Sequence, residues 1–584
     1  MSEYAPPLDN INFLLKHLVP VQALARLPRY SHVDAELSDA VVAEAARFTS
    51  EVLGPLNGIG DRVGSHLVGG RVITPPGFRE AYRQYAEGGW VGVDLPLEHG
   101  GQALPRVLQI AVAEMVNGAC VSFGMLPLME RAATKVLIAH ADPALRDCFV
   151  PHLAAGRWGA TISMSEAGAG SDVGRARTRA ERQSDGTYRL TGTKIFITYG
   201  DQDFTDQIVH LVLARVRGAP SGVKGLSLFA VPARLVIDAE GGLGDPNRVV
   251  VSRVEEKMGL KASPTCVVDF DGAAGHLIGQ EGDGLRNIFT MVNAMRIEVA
   301  VQGVAVAGAA TRKAVGYALS RPQGGPPEGD AVMIVEHPDV RRMLMTMVAR
   351  TDAMRALVYE AAYQLDLSEG AATPAERQAA QALAEWLLPV CKACGSEAGF
   401  EVANLAVQVH GGHGYVKDAG VEQYVRDSRV MSIYEGANGI QALDLVTRRL
   451  VRQQGQSYRL FVDRIRTDLA VGADDRLGAI RTSVQRELER LESCTAWICQ
   501  CVADRPRDAA AGATAYLALV GLVAGGWMWL RMAAVDGAGQ ATRQALARFY
   551  ADHLMAAGSS LAEQVRSGAA IVDALTVEDW ARLA

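Results

Sequence analysis

The chain has 584 residues, 49% of them apolar and 21% charged, with 58 basic against 65 acidic side chains and a net charge of −7. That length exceeds one ordinary domain and implies three or four, and the composition is that of a globular chain with a large core. The acidic balance and the lack of any lysine- or arginine-rich block argue against nucleic acid or an anionic membrane surface as a partner.

In chain order, residues 1–160 read mainly as helix, with apolar residues at helical spacing over Val41–Val52 and Leu108–Met115. The polar stretch Met1–Asn12 carries no secretory signal. Strand patterns dominate from about Ala160 to Asp271. Tyr188–Thr191 and Lys194–Thr198 alternate and read as two short strands bounded by Gly or Asp; Ile208–Ala214, Leu226–Val231 and Cys266–Phe270 are β-branched or apolar runs. Short strands at this spacing predict a small β-barrel or sandwich. Helix returns near Gly284, with a long Ala- and Val-rich run over Ile288–Leu319, a second helix from Asp339 and a third over Ala375–Leu405. The Pro- and Gly-rich stretch Arg321–Gly329 is the loop between the first two. A further helical block follows residue 452.

The expected fold class is therefore α+β: an N-terminal helical domain (1–160), a β-barrel domain (161–275), a helical bundle (276–451) and an extra C-terminal helical domain (452–584). Within the last, Ala509–Leu530 has no charged residue and is long enough to cross a bilayer. Its Ala and Gly content and the flanking Arg505, Arg507, Asp508 and Arg531 favour a buried helix, or one at a subunit contact, over a membrane span. The eight scattered cysteines give no disulfide framework and point to a reduced, cytoplasmic setting. Cys391 and Cys394 lack a second pair to complete a zinc site, and His410 and His413 lack a third ligand, so no metal is expected.

Four segments carry chemistry. Met164-Ser-Glu-Ala-Gly-Ala-Gly-Ser-Asp172 is a Gly-rich loop whose backbone N–H groups can approach a phosphate or a flavin edge, although it lacks the dinucleotide fingerprint. In Lys194-Ile-Phe-Ile-Thr-Tyr-Gly200, Phe196 and Thr198 share a strand face and offer a flat ring and a hydroxyl, against the plainer reading of a barrel-core Phe beside a surface Thr. Gln408-Val-His-Gly-Gly-His-Gly-Tyr415 places three glycines in a tight turn after a long helix. In Ile433-Tyr-Glu-Gly-Ala-Asn-Gly-Ile-Gln441, the Glu435 carboxylate lies in an apolar setting where desolvation would make it a stronger base. A surface Glu in a turn is the plainer reading of the same residue.

Taken together, in this order and at these separations, the four segments resemble the acyl-CoA dehydrogenase family, over roughly residues 40–450. Lys257–Thr265 resembles a late barrel segment of that family. The extra C-terminal block and Ile208–Pro232 are most similar to its long subgroup, which contains 3-methylmercaptopropionyl-CoA dehydrogenase and mycobacterial long-chain acyl-CoA dehydrogenases. The resemblance implies FAD as cofactor. It places Met164 and Ser165 along the flavin ring, Gly170 and Ser171 at the pyrophosphate, and Phe196 and Thr198 against the ring system. Arg321 and Gln323 match positions that reach the FAD of a neighbouring subunit, and Gln408 and Gly412 match the turn holding its adenylate portion, which implies a homodimer or a dimer of dimers. Asn293 and Arg296 match contacts to the pantetheine and CoA arm of an acyl-CoA thioester.

Glu435 matches the catalytic base of α,β-dehydrogenation. Its own N–H and a ribityl hydroxyl of FAD would hold the thioester oxygen, flavin N5 would take the hydride, and an electron-transfer flavoprotein would accept the electrons. Departures from the family pattern are Ser165 for Thr, Ala167 for Pro, Ala437 for Thr and Asn293 for Asp. Relatives that place the base beside the CoA-contacting arginine have no counterpart here, since that neighbour is Met295; Glu298 is the reserve candidate. The rival readings are an acyl-CoA oxidase, which shares the first half-reaction, and a non-catalytic flavoprotein of the same fold that binds nucleic acid.

Overall fold

The computed structural model describes residues 4–471 and 475–584, apart from the side chains of Asn293 and Asp475. By contacts it forms two compact units. One comprises residues up to Pro6 and Ala40–Glu298, the other Pro7–Asp39 and Val299–Ala584.

In the first unit, helices Gly54–Val63, Phe78–Glu87, Arg106–Ala119, Val121–His140 and Pro143–Ala154 precede a seven-stranded sheet. Five of its strands close on themselves. Thr265–Ile278 pairs with Tyr188–Thr198, which pairs with Arg179–Arg182, then come Gln207–Val216 and Leu226–Pro232, and the last pairs back onto His276–Ile278. Trp158–Ser163 joins parallel to Gln207–Val216, and Val249–Val254 flanks Thr265–Ile278 antiparallel. The closed ring is the barrel expected from the pattern, and its interior is filled by Leu190, Val212, Phe229, Val268 and Phe270. Gln207–Val216 and Leu226–Pro232 are almost wholly buried, which is why they read as continuous apolar runs rather than alternating ones.

Tyr188–Thr198 is one strand, not the two read from the sequence. Gly192 runs through it at φ 154° without breaking it, because a Cβ there would lie 2.8 Å from the Cα of Thr178. The glycine marks a close approach of backbones inside a strand rather than a turn.

The second unit is helical. Helices Pro338–Gly370 and Pro374–His410 pair antiparallel with a capping box at Thr373, where Thr373 and Glu376 satisfy each other's backbone N–H groups. Gln456–Ala470, Gly478–Asp504, Pro506–Ala534, Gln540–Phe549 and Gly558–Arg566 pack with them in the same unit. Among the described residues two helices, Gly284–Ser320 and Pro506–Ala534, are long and apolar enough to span a membrane, and 67% of the most apolar window of the second is buried in protein. Its glycines explain the unusual composition: a Cβ at Gly512, Gly521 or Gly525 would collide with Val565, Cys394 or Tyr550, so the small residues let neighbouring elements approach closely.

Where that helix nears its end, Arg531 forms an ion pair with Glu360 at 2.7 Å and donates to the carbonyl of Leu18 at 2.9 Å. Trp527 Nε1 donates to Asp468 and Trp529 Nε1 to the carbonyl of Ala349. Three stretches far apart in sequence, at Leu18, on Pro338–Gly370 and on Gln456–Ala470, are thereby tied to one helix. The Arg531–Leu18 bond, with Asn10 to Asp352 and Tyr30 to Asp366, ties Pro7–Asp39 to a unit whose remainder begins at Val299. Burial pushes the Glu360 carboxyl up, but Arg531 more than offsets it and holds Glu360 below the usual carboxylate value. A carboxyl so depressed stabilises the fold fully above its unfolded value of 4.5 and loses that contribution as pH falls through the lower folded value. Arg531→Met, which strands the buried Glu360, is expected to cost about 3–5 kcal/mol in urea denaturation at neutral pH, and the gap to the parent should narrow on acidification below pH 4.5.

Candidate active site

In the first unit, the loop after Trp158–Ser163 is fastened by a buried lysine. Lys194 Nζ donates to Glu166 Oε1 at 2.8 Å and to the carbonyl of Met164 at 3.0 Å. The N–H of Ile195 donates to the carbonyl of Ser165 at 2.9 Å. Glu166 also accepts from the backbone N–H groups of Arg177 and Thr178 and from the Thr178 hydroxyl. Burial opposes charge on both partners. At Glu166, Lys194 and the other donors more than offset it, leaving the carboxyl below its usual range; at Lys194 burial wins, and the amine lies below the usual lysine value. Met164 packs against Ala169, Ala176, Leu213 and Leu226. Gly170 and Ser171 are exposed, and a Cβ at Gly168 or Gly170 would meet nothing within 4 Å, so the backbone there has an open face.

The Lys194 strand bends at the same place. Two residues, Ile195 and Phe196, face the single Val267 in a β-bulge, and Phe196 sits at φ 59°. A bulge re-aims a side chain. Phe196 is accordingly 63% exposed and outside the barrel core, which overturns its reading as a core residue; Thr198 is half-buried.

In the second unit, Glu435 lies at φ 54° and Gly436 at φ 86°. A non-glycine residue held in the left-handed region costs of order 1–3 kcal/mol and persists only where its surroundings fix it. Here the fixing group is again a buried lysine, inside helix Pro374–His410. Lys392 Nζ donates to the carbonyl of Gly436 at 2.8 Å and to Asn438 Oδ1 at 3.0 Å. Gln441 Nε2 donates to the carbonyl of Gly436 at 3.1 Å, Ser396 bonds Asn438, and the Tyr434 hydroxyl donates to Gln302 on Gly284–Ser320. Burial first, then the nearby Glu435 charge, pushes the Tyr434 phenol up, so it is neutral at physiological pH.

The third group of expected residues is gathered by Tyr317. Its ring stacks on His410 at 4.3 Å and its hydroxyl lies 3.3 Å from His413 Nδ1, while its carbonyl accepts from the N–H of Arg321. Arg321 and Gln323 follow one helical turn later, in the loop closed by the Pro322–Met333 bridge. Arg321, Gln323, Gln408 and Gly412 are all exposed. Arg296 is buried in the first unit. Asn293 is on the same helix, but its side chain lies outside the described residues. Glu298, the reserve base, is committed elsewhere: both its oxygens accept from Arg131 Nη2 at 2.7 and 2.8 Å, and Gln109 donates to one at 3.2 Å. Among the described residues no group of His, Cys, Asp and Glu is arranged to hold a metal ion.

Glu166, Lys194, Lys392 and Tyr317 anchor these segments and were not singled out in the sequence reading. Lys392 interrupts an apolar run, which was the available signal.

The family comparisons agree with one another along the chain. The acyl-CoA dehydrogenase N-terminal domain matches residues 70–157, the middle domain 161–273, and the C-terminal domain 282–451; an acetyl-CoA dehydrogenase C-terminal-like domain matches 461–576. The chain belongs to the acyl-CoA dehydrogenase family. It is an oxidoreductase, 40% identical over 534 residues to 3-methylmercaptopropionyl-CoA dehydrogenase of Ruegeria pomeroyi, covering 90% of each chain. It is 32% identical to a broad-specificity linear acyl-CoA dehydrogenase of Mycobacterium tuberculosis, covering 92% of this chain and 91% of that one. The solved acyl-CoA dehydrogenase of Bacillus anthracis complexed with FAD shares the fold with a TM-score of 0.74 at 21% identity, over 96% of this chain and 92% of that one.

Two substitutions probe the Glu435 turn. Lys392→Met removes the charged donor from the Gly436 carbonyl and from Asn438 Oδ1, leaving each with one neutral donor, Gln441 or Ser396; a hydrogen bond to a charged group contributes about 1.5–3 kcal/mol, so amide exchange over 434–438 should speed up while the barrel strands stay protected. Ala437 is the N-cap of Asn438–Leu443 and has no side-chain cap bond, so Ala437→Thr is expected to raise stability by about 1 kcal/mol, read from the denaturation midpoint.

Proposed function

We propose that this protein is an FAD-dependent acyl-CoA dehydrogenase that oxidises the α,β bond of an acyl-CoA thioester to the 2-enoyl-CoA, with Glu435 as the base. The observation that carries the assignment is the left-handed backbone at Glu435, anchored by Lys392 and Gln441. Strain of this kind is retained where it aims a group.

The residues present fit the cofactor. Gly168 and Gly170 leave a backbone face open to a phosphate, Ser171 adds a hydroxyl, and Phe196 offers an exposed ring beside Thr198. FAD, when bound, supplies the hydride acceptor for the β-carbon, which no protein side chain provides.

The chain's own residues do the rest. An α-proton of a thioester is a weak acid, so a carboxylate must meet it within hydrogen-bond reach. As the proton leaves, charge gathers on the thioester oxygen, and the backbone N–H of Glu435 is the donor we assign to it. Asn293 and Arg296 are assigned to the CoA arm. Arg321, Gln323, Gln408 and Gly412 are assigned to the cofactor of a second subunit in a homodimer or dimer of dimers, and their exposure supports that reading. An electron-transfer flavoprotein is the proposed electron acceptor, and the cytoplasm the proposed location.

The purified protein is expected to be yellow, with about one FAD per chain; a colourless protein that takes up no FAD on reconstitution refutes the assignment. Glu435→Gln keeps the shape and the backbone N–H but accepts no proton. Flavin content should persist, and the rate of anaerobic flavin bleaching by an acyl-CoA should fall by about 10⁴-fold or more, at or beyond the top of the usual range for general-base catalysis. Bleaching within a few-fold of the parent rate would remove Glu435 from its role.

A further inference from the structure

After the last matched family segment ends at residue 576, the chain forms a short helix, Val577–Leu583, with no buried residue. It is held in shape by its own capping box, in which Thr576 accepts from the N–H of Asp579 and Asp579 accepts from the N–H of Thr576. Val577, Trp580 and Leu583 recur at every third position, so they share one face. They are 81%, 57% and 71% exposed, and Ile571 and Val572 just before them are also largely exposed. Beside this face the segment carries Glu578 and Asp579 against Arg582, while Asp573 is paired with Arg507.

A cavity of opposite character lies in the same unit. Its volume is about 880 Å³, within the range that encloses a small-molecule-sized body, about 300–1,000 Å³. Phe13, Met532 and Leu546 give it apolar wall; Arg355 is paired with Asp352 within it, which leaves Lys16, Arg312 and Arg543 against Asp9. Lys16 and Arg312 are exposed at its rim.

We infer that the 571–583 segment is a docking arm whose partner is this cavity on a second copy of the chain. An apolar helix face beside acidic residues meets an apolar wall under basic ones. Reciprocal exchange between two copies makes a closed, twofold contact. This contact is separate from the cofactor-bridging surface assigned to Arg321 and Gln408.

The test places a photo-crosslinking benzoyl-phenylalanine at position 580, an exposed site that leaves the fold intact, in a mixture of isotopically light and heavy full-length holoprotein. The expected products join light to heavy chains, with the attachment mapped by mass spectrometry to the peptides holding Phe13, Met532 or Leu546. Lys16→Glu with Arg312→Glu should lower that yield about tenfold or more, since like charges facing each other across an interface cost several kcal/mol. Adding Glu578→Lys should restore part of it. Attachment only within one chain, attachment away from the cavity, no attachment to protein, or a yield indifferent to the charge reversals would each overturn the inference.

Discussion

A buried amine must be surrounded by oxygens that cannot move away, because leaving it unsatisfied costs more than any nearby contact returns. That constraint recurs in each unit, at a segment expected to carry chemistry. Lys194 binds the Gly-rich loop to the barrel through Glu166 and the Met164 carbonyl, and Lys392 binds the Glu435 turn to its helix through the Gly436 carbonyl and Asn438. In each case a residue with left-handed backbone, Phe196 or Glu435, lies within three positions of an anchored group. The scaffold therefore holds its strained residues by hydrogen bonds from the core outward, and the loops inherit the rigidity of a strand and a helix.

The same economy shows in what the remaining polar groups do. Glu298 and Glu435 are both carboxylates near expected ligand-binding residues, yet their surroundings assign them different work. Glu298 is clamped by Arg131 and Gln109, so its oxygens are committed to neighbouring side chains. Gln441 and Lys392 take hold of the backbone beside Glu435, and Lys392 of the Asn438 side chain as well, and so fix the direction of the turn.

Much of this was legible in the sequence, for identifiable reasons. The barrel could be read because Gln207–Val216 and Leu226–Pro232 are apolar on both faces, and the long helices because their apolar runs are long. The glycine-rich turns were visible as composition. Gly192 misled, since a glycine inside a strand looks like a boundary unless the backbone packed against it is known. The bulge at Phe196 was hidden as well: alternation assumes one residue for one, and the extra residue exists only relative to Val267 across the ladder. The roles of Lys392 and Tyr317 depend on partners 44 and 96 positions away, a range that no local pattern reports. The association of Pro7–Asp39 with the distant helical unit rests on contacts such as Arg531 to Leu18, 513 positions apart.

The left-handed backbone at Glu435 has a consequence for how this protein can be changed. Only glycine occupies that conformation freely, and any other L-residue is disfavoured there by roughly 1–2 kcal/mol. A library screened for heat resistance alone would therefore reward glycine at position 435, and it would discard the carboxylate in doing so. With Glu435 as the proposed base, improvement for durability and improvement for turnover diverge at this one residue, and an engineering campaign on this scaffold would hold position 435 fixed and seek its gains elsewhere.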